Sequence, residues 1–174
     1  ADLAGEDLGI DIVGETAAAE DSSEVEDAPI VKFLQKVLMD AIQAGASDLH
    51  FEPYEKYYRI RFRVDGELRE VAQPPLAIKD KLSSRIKVIS RLDISEKRLP
   101  QEGRFNIRVK NRNIDVRVST MPVQFGESVV MRLLDQSAGI ASLDAGGMPA
   151  DMLARFRRLL QRPYGMVLVT GPTG

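Results

Sequence analysis

The stretch YRIRFRVDGELREV, residues 58–71, carries a period of two on both sides of a two-residue break. Tyr58, Ile60, Phe62 and Val64 alternate with Arg59, Arg61 and Arg63, which predicts a strand with one apolar face and one basic face. Asp65-Gly66 suits a type I′ turn, because both central residues of that turn need positive φ. Glu67–Val71 then returns as the second strand. A hairpin of this kind commits the chain to an antiparallel sheet.

Working outward, the residues before the hairpin predict a helix and a short strand. Pro29 suits a first helical turn, with Asp27 placed to cap it. Ile30, Phe33, Leu34, Val37, Leu38, Ala41 and Ile42 fall on one helical stripe, and Gly45 is placed to end it. Asp48–Pro53 reads as a strand. After the hairpin, Pro74-Pro75 breaks the chain before a second amphipathic helix with Leu82, Ile86 and Ile89 on one face. Asp93–Gly103 is polar, holds Pro100 and reads as a loop. Three further strands follow at Arg104–Lys110, Asn113–Thr120 and Glu127–Leu134. Asn111-Arg112 turns the first pair and Met121–Gly126 links the last. Helix, hairpin, helix and meander give an α+β fold with a mostly antiparallel sheet and two packing helices.

A second unit is predicted to begin near Asp135. Gly139, Gly146, Gly147 and Pro149 mark a joint over 136–149. A helix is expected at Ala150–Gln161 and an apolar strand at Met166–Thr170. Gly171-Pro172-Thr173-Gly174 follows, supplying four of the eight positions of the phosphate-loop pattern G-x-x-x-x-G-K-[ST]. Helix, apolar strand and glycine-rich loop form the usual opening of an α/β nucleotide-binding domain.

Composition narrows the classes. The 174 residues are 44% hydrophobic, as in an ordinary globular domain. No apolar run reaches the roughly 18 residues of a membrane-spanning helix, and no secretory signal pattern is present. The absence of Cys excludes disulfides and thiolate metal sites and fits a reducing cytosol. The opening on Ala and the ending inside a motif suggest an excised fragment. Charge is unevenly spread: residues 1–28 carry ten acids and no Lys or Arg, which leaves 24 bases against 16 acids in the rest. Residues 1–27 are therefore expected to be an acidic flexible linker, with a possible docking segment at Leu8–Val13.

Three segments together resemble the secretion superfamily ATPases, the hexameric motors of type II secretion and type IV pilus assembly. They are GASDLHFEPYEKYYRIRFRVDGELREV (45–71), RLDISEKRLPQEGRFNIRVKNRNIDVRVSTMPVQFGESVVMRLLD (91–135) and RPYGMVLVTGPTG (162–174). The resemblance implies that 28–135 is the second N-terminal domain, a PAS-like module, and that 150–174 starts a RecA-like ATPase domain. It further implies ATP and Mg²⁺ as cofactors, a homo-hexamer, and partners at an inner-membrane platform and among cytoplasmic assembly proteins. The location implied is the cytoplasm, peripheral to the inner membrane. The wording VQFGESVVMRLLDQS is most similar to pilus extension motors, with the type II secretion motor as the alternative. The fragment by itself is expected to be inactive, since the loop's Lys and Ser/Thr are not among its residues.

The same resemblance carries the family's two phosphate-directed arginines onto Arg117, in DVRVS, and Arg132, in VMRLLD. The residue pattern puts Arg117 on the polar side of its strand with Asp115 and Ser119. Arg132 is flanked two positions away by apolar Val130 and Leu134, which makes its charge costly unless it has a partner. Surface ion pairs are the bland alternative for both. Gly171, Pro172, Thr173 and Gly174 would begin a cradle of backbone N–H groups, or simply end a strand. Asp48, His50 and Glu52 share one side of a short strand; a hydrogen-bond network is expected there in preference to a metal site. Arg59, Arg61, Arg63, Arg104 and Arg108 form a basic surface, read as a subunit interface or solvated face rather than a nucleic-acid site. Glu127 could support a finger arginine or merely shape a turn.

Overall fold

The computed structural model describes residues 10–13, 24–136 and 142–171. The chain divides into two compact units, 1–137 and 138–174.

In the first unit seven strands form one sheet in the order β1-β5-β6-β7-β2-β3-β4, with every neighbouring pair antiparallel. The strands are β1 (Ile10–Val13), β2 (Asp48–Pro53), β3 (Tyr58–Val64), β4 (Glu67–Ala72), β5 (Gln101–Val109), β6 (Arg112–Val123) and β7 (Gly126–Asp135). The helices are α1 (Glu24–Gln43) and α2 (Lys79–Ile89). The α+β class and the antiparallel sheet predicted from sequence are both present.

Strand alternation does the sorting. Leu49, Phe51, Ile60, Phe62, Ile107, Val116 and Met131 point to one face and join Leu34, Leu38 and Ala41 of α1 and Leu82 and Ile86 of α2 in a single buried cluster. The alternate residues make the opposite, outer face, which carries most of the charge. At the hairpin, Asp65 and Gly66 have φ of 50° and 82°, as a type I′ turn requires. Gly45, at φ 67°, closes α1: its own N–H reaches the Ile42 carbonyl, and the next N–H, of Ala46, reaches back to Ala41.

Several boundaries differ from expectation. α1 begins at Glu24, so Pro29 lies inside the helix and Asp27 is not its cap. The continuous apolar stripe, buried from Ile30 to Ile42, holds the helix through a residue that has no N–H to give to the carbonyl four positions back. β1 lies within the lead expected to be a flexible linker. Ile10–Val13 pair with Val109–Asn106 of β5 and add an edge strand; the rest of 1–23 lies outside the described residues. β5 begins at Gln101 rather than Arg104, and its turn into β6 falls at Lys110-Asn111, one residue early, with Lys110 at φ 52°.

The polar stretch after α2 is a loop that bonds itself. The Asp93 carboxylate accepts from the Ser95 N–H and hydroxyl, Glu96 accepts from the N–H groups of Arg98 and Leu99, and the Gln101 amide donates to the Asp93 carbonyl.

The second unit holds α3 (Ala150–Leu160), preceded by a turn at Leu143–Gly146 with Gly147 at φ 70°. The predicted strand at Met166–Thr170 is not formed: these residues have no ladder partner, and Met166 and Val169 are largely exposed. An apolar run becomes a strand only when a neighbour accepts its backbone hydrogen bonds, and no second strand occurs among the described residues of this unit. Residues 137–141 of the expected joint and Pro172, Thr173 and Gly174 lie outside the described residues.

Candidate phosphate-facing site

The outer face of the sheet is built rung by rung. Arg104 of β5, Arg117 of β6 and Arg132 of β7 stand opposite one another, and the rung continues through Asp48 of β2 to Arg63 of β3. Five strands thus contribute four guanidiniums and one carboxylate to a single line. Like charges directly opposite in a ladder repel, so the line needs either internal counter-charges or an external anion.

The internal counter-charge is Asp48. Its side chain is nearly buried, and it accepts from Arg132 Nε at 3.0 Å and from the Ser47 hydroxyl at 2.8 Å, with Arg63 Nε at 3.5 Å. Burial pushes the Asp48 carboxyl up, but the Ser47 hydrogen bond and the two arginines outweigh it and hold it below the usual carboxylate range. Because Asp48 engages the Nε edge, it fixes the Arg132 side chain while leaving the guanidinium largely in solvent: the side chain remains 65% exposed. Arg117 is similarly exposed at 68%, and its nearest carboxylate, Asp115, is 3.8 Å away, a weak pair.

The structure therefore brings the two sequence-predicted arginines together as direct cross-strand neighbours. The apolar neighbours of Arg132 have a simple explanation. Val129, Met131 and Leu133 point to the core, while Val130, Arg132 and Leu134 point outward. Arg132 is on the charged face after all, and its partner lies 84 residues away in sequence.

The expected network on β2 is only partly a network. Glu52 takes Arg61 at 2.6 Å and Arg59 at 3.0 Å, and Arg59 also stacks over the Tyr54 ring. Burial raises the Glu52 carboxyl, but Arg61 and then Arg59 bring it below its ordinary value. Among the described residues, His50 Nε2 is buried without a hydrogen-bond partner. Burial lowers its pKa, and the charges of Glu52 and Asp48 offset only part of that.

The basic surface divides accordingly. Arg59, Arg61 and Arg63 are matched by carboxylates of β2, which removes the uniform positive potential that nucleic acid would need. Arg104 has no ion-pair partner among the described residues. Glu127, considered as a support for a finger arginine, instead pairs with Lys87 of α2 at 2.6 Å beneath the sheet. Gly171 is exposed and outside any regular element; with Pro172, Thr173 and Gly174 undescribed, the site consists of the sheet-face arginines.

Sequence reasoning did not single out Asp48 as the residue that holds Arg132. The Asp/Arg pairing is carried by the β2–β7 register, which sets Asp48 opposite Arg132.

The family model described as Type II/IV secretion system protein matches residues 23–174. The type IV pilus assembly ATPase PilB of Pseudomonas aeruginosa is 51% identical over 99% of this chain. The type II secretion system ATPase E of Vibrio cholerae is also 51% identical, over 97% of the chain. The type II secretion system protein HxcR of Pseudomonas aeruginosa is 50% identical over 84%. This chain belongs to the type II/IV secretion system protein family. It spans 30% of the PilB relative, 35% of the ATPase E relative and 31% of HxcR, about a third of each.

Proposed function

We propose that this chain is part of a hexameric cytoplasmic ATPase motor, peripheral to the inner membrane, that powers type IV pilus extension. In this reading residues 28–135 are the second N-terminal domain and 150–174 open the ATPase domain, where Gly171, Pro172, Thr173 and Gly174 begin the phosphate cradle. Arg117 and Arg132 meet the γ-phosphate of ATP. The observation that carries this is their cross-strand pairing on the outer face, both largely exposed, with Arg132 held at its Nε edge by buried Asp48.

The arrangement suits a phosphate. An exposed planar fork presents several N–H donors to tetrahedral oxygens, and two adjacent forks spread charge over them. Bound Mg·ATP would supply the phosphoanhydride whose cleavage releases energy. The chain's own residues bind and orient: Asp48 sets the Arg132 rotamer, and the strand pair fixes the spacing of the two guanidiniums. A γ-phosphate that both arginines contact gives the closed arrangement a differential affinity, and its loss removes that affinity. Inner-membrane platform and cytoplasmic assembly proteins would receive the resulting motion.

A type II secretion ATPase is the second reading, favoured by the equal identity of the ATPase E relative. A docking module without nucleotide contact is the third, and it leaves the exposed arginine pair unexplained.

Steady-state hydrolysis by the complete motor tests the proposal. Arg117→Ala or Arg132→Ala should reduce turnover by about 10³-fold or more, as for other arginine fingers, with ADP affinity nearly intact. Lys at either position should restore little, since an ammonium lacks the fork. Full turnover in either Ala variant overturns the assignment. The chain alone, holding half of the phosphate-loop positions, should not hydrolyse ATP.

A further inference from the structure

The arginine line does not stop at the two residues already assigned. Arg104 stands opposite Arg117 on the other side, one strand further from Asp48. All three arginines line one open depression on the outer face, together with Asp48, Ser119 and Val130. Of the three, Arg132 has a close carboxylate, Arg117 a distant one, and Arg104 none among the described residues.

We propose that Arg104 is a third phosphate-binding residue, and that the rung of Arg104, Arg117 and Arg132 binds a polyphosphate chain rather than a single phosphate. This rests on the reading of Arg117 and Arg132 above and extends it to the substrate's β- and α-phosphates. Three adjacent strands place the outer two backbones roughly 10 Å apart. That span exceeds one tetrahedral phosphate and accommodates a linear chain lying across the strands, with Arg117 and Arg132 on the γ-phosphate and Arg104 reaching the groups that follow it.

Charge supports the same assignment. A rung of three guanidiniums repels itself, and only Arg132 is neutralised within the fold. The paired arginines of β3 form the internal contrast: each has a carboxylate of β2 within 3.5 Å. Two carboxylates serve the three arginines of β3, with Asp48 shared by Arg132, whereas Arg104 and Arg117 have no carboxylate that close among the described residues. Glu102, exposed on the next rung of β5 and also lining the depression, opposes an anion and defines a second test position.

Inorganic tripolyphosphate and orthophosphate titrated into this chain at low salt, read by the Arg Nε–H NMR signals, test the proposal. Tripolyphosphate should bind more tightly than orthophosphate and shift all three arginines. Arg104→Ala should weaken it about fivefold, the worth of one exposed charge-assisted contact. Arg108→Ala, on the same strand outside the depression, should change it less than about twofold, and Glu102→Gln should tighten it, as expected of single exposed charges. Equal binding of the two anions, or equal effects of Arg104→Ala and Arg108→Ala, would reduce the site to diffuse surface charge and overturn the inference. The complete motor separates the two levels. If Arg117→Ala and Arg132→Ala abolish turnover while Arg104→Ala leaves nucleotide affinity unchanged, only this inference fails. If Arg117→Ala and Arg132→Ala leave turnover intact, the underlying reading fails, whatever tripolyphosphate does.

Discussion

Lys87 and Glu127 form an ion pair at 2.6 Å with side-chain exposures of 1% and 8%, and Lys87 is the most deeply buried charge among the described residues. Lys87 also donates to the Glu96 carbonyl, at 2.6 Å, so one ammonium ties α2 to both β7 and the loop before β5. Lys79 adds a parallel tie from the start of α2 to the Phe125 carbonyl in the β6–β7 turn. The helix is thereby pinned against β7, the strand that carries Arg132.

Lys87→Ala should destabilise the first unit by about 3–5 kcal/mol, because it leaves a buried carboxylate uncompensated. Lys87→Met combined with Glu127→Leu should recover much of that loss, since an apolar pair of similar volume often replaces a buried ion pair without penalty. Urea unfolding of the two variants checks both outcomes; equal stability of Lys87→Ala and the parent would remove the pair from the account.

Gly103→Ala should also destabilise. A Cβ there would lie 2.5 Å from the Ser90 carbonyl oxygen and 2.8 Å from the Leu92 side chain. The close neighbour is backbone and cannot swing away, so the end of α2 must shift away from β5. The expected loss is about 1–3 kcal/mol, visible as a lower melting temperature.

Acidification should weaken the first unit in two stages. His50 is held below its ordinary 6.5, so the unfolded chain takes up that proton first and stability declines as pH falls below about 6.5. Asp48 and Glu52 are held below their ordinary 3.8 and 4.5, so their contributions are full above those values and are lost as pH falls through the depressed ones. His50→Gln should remove the first stage and leave the second. Chemical unfolding between pH 7 and 3 reads both; a stability flat across that range contradicts the assignment.

Removing residues 1–13 should cost about 1 kcal/mol, the value of a half-buried Ile12, and should bare the β5 edge. The β5 amides directed at β1 should exchange faster in the truncated chain, and self-association should rise, because an open edge strand recruits another. Unchanged exchange would mean that β1 contributes no pairing in solution.

Much of this architecture was legible in one dimension. Alternation in Tyr58–Val64, the Asp65-Gly66 turn and the helical stripe from Ile30 to Ile42 depend on near neighbours only, and local sterics and burial determine them. Family motifs supplied Arg117 and Arg132. Three outcomes share a cause. Ile10–Val13 became a strand because β5 offered an edge, Met166–Thr170 did not because nothing offered one, and Pro29 was carried inside α1 by the burial of the residues after it. Hydrogen-bond partners from elsewhere in the chain decide each case.

The electrostatics of the face belonged to tertiary structure altogether. Sequence identifies the charges, but the register of seven strands determines which ones meet. It brought Asp48 to Arg132 across 84 residues and gave Glu52 to Arg59 and Arg61, while the packing of α2 on the other face assigned Lys87 to Glu127. It also left Arg104 and Arg117 facing each other without a close carboxylate among the described residues. A shift of one residue in the β6–β7 ladder would turn Arg132 toward the core and dissolve the line, because side chains alternate with a period of two. The sequence by itself determined that there would be a sheet with a charged face. The pairing of the strands decided which arginines of that face have a close carboxylate and which do not.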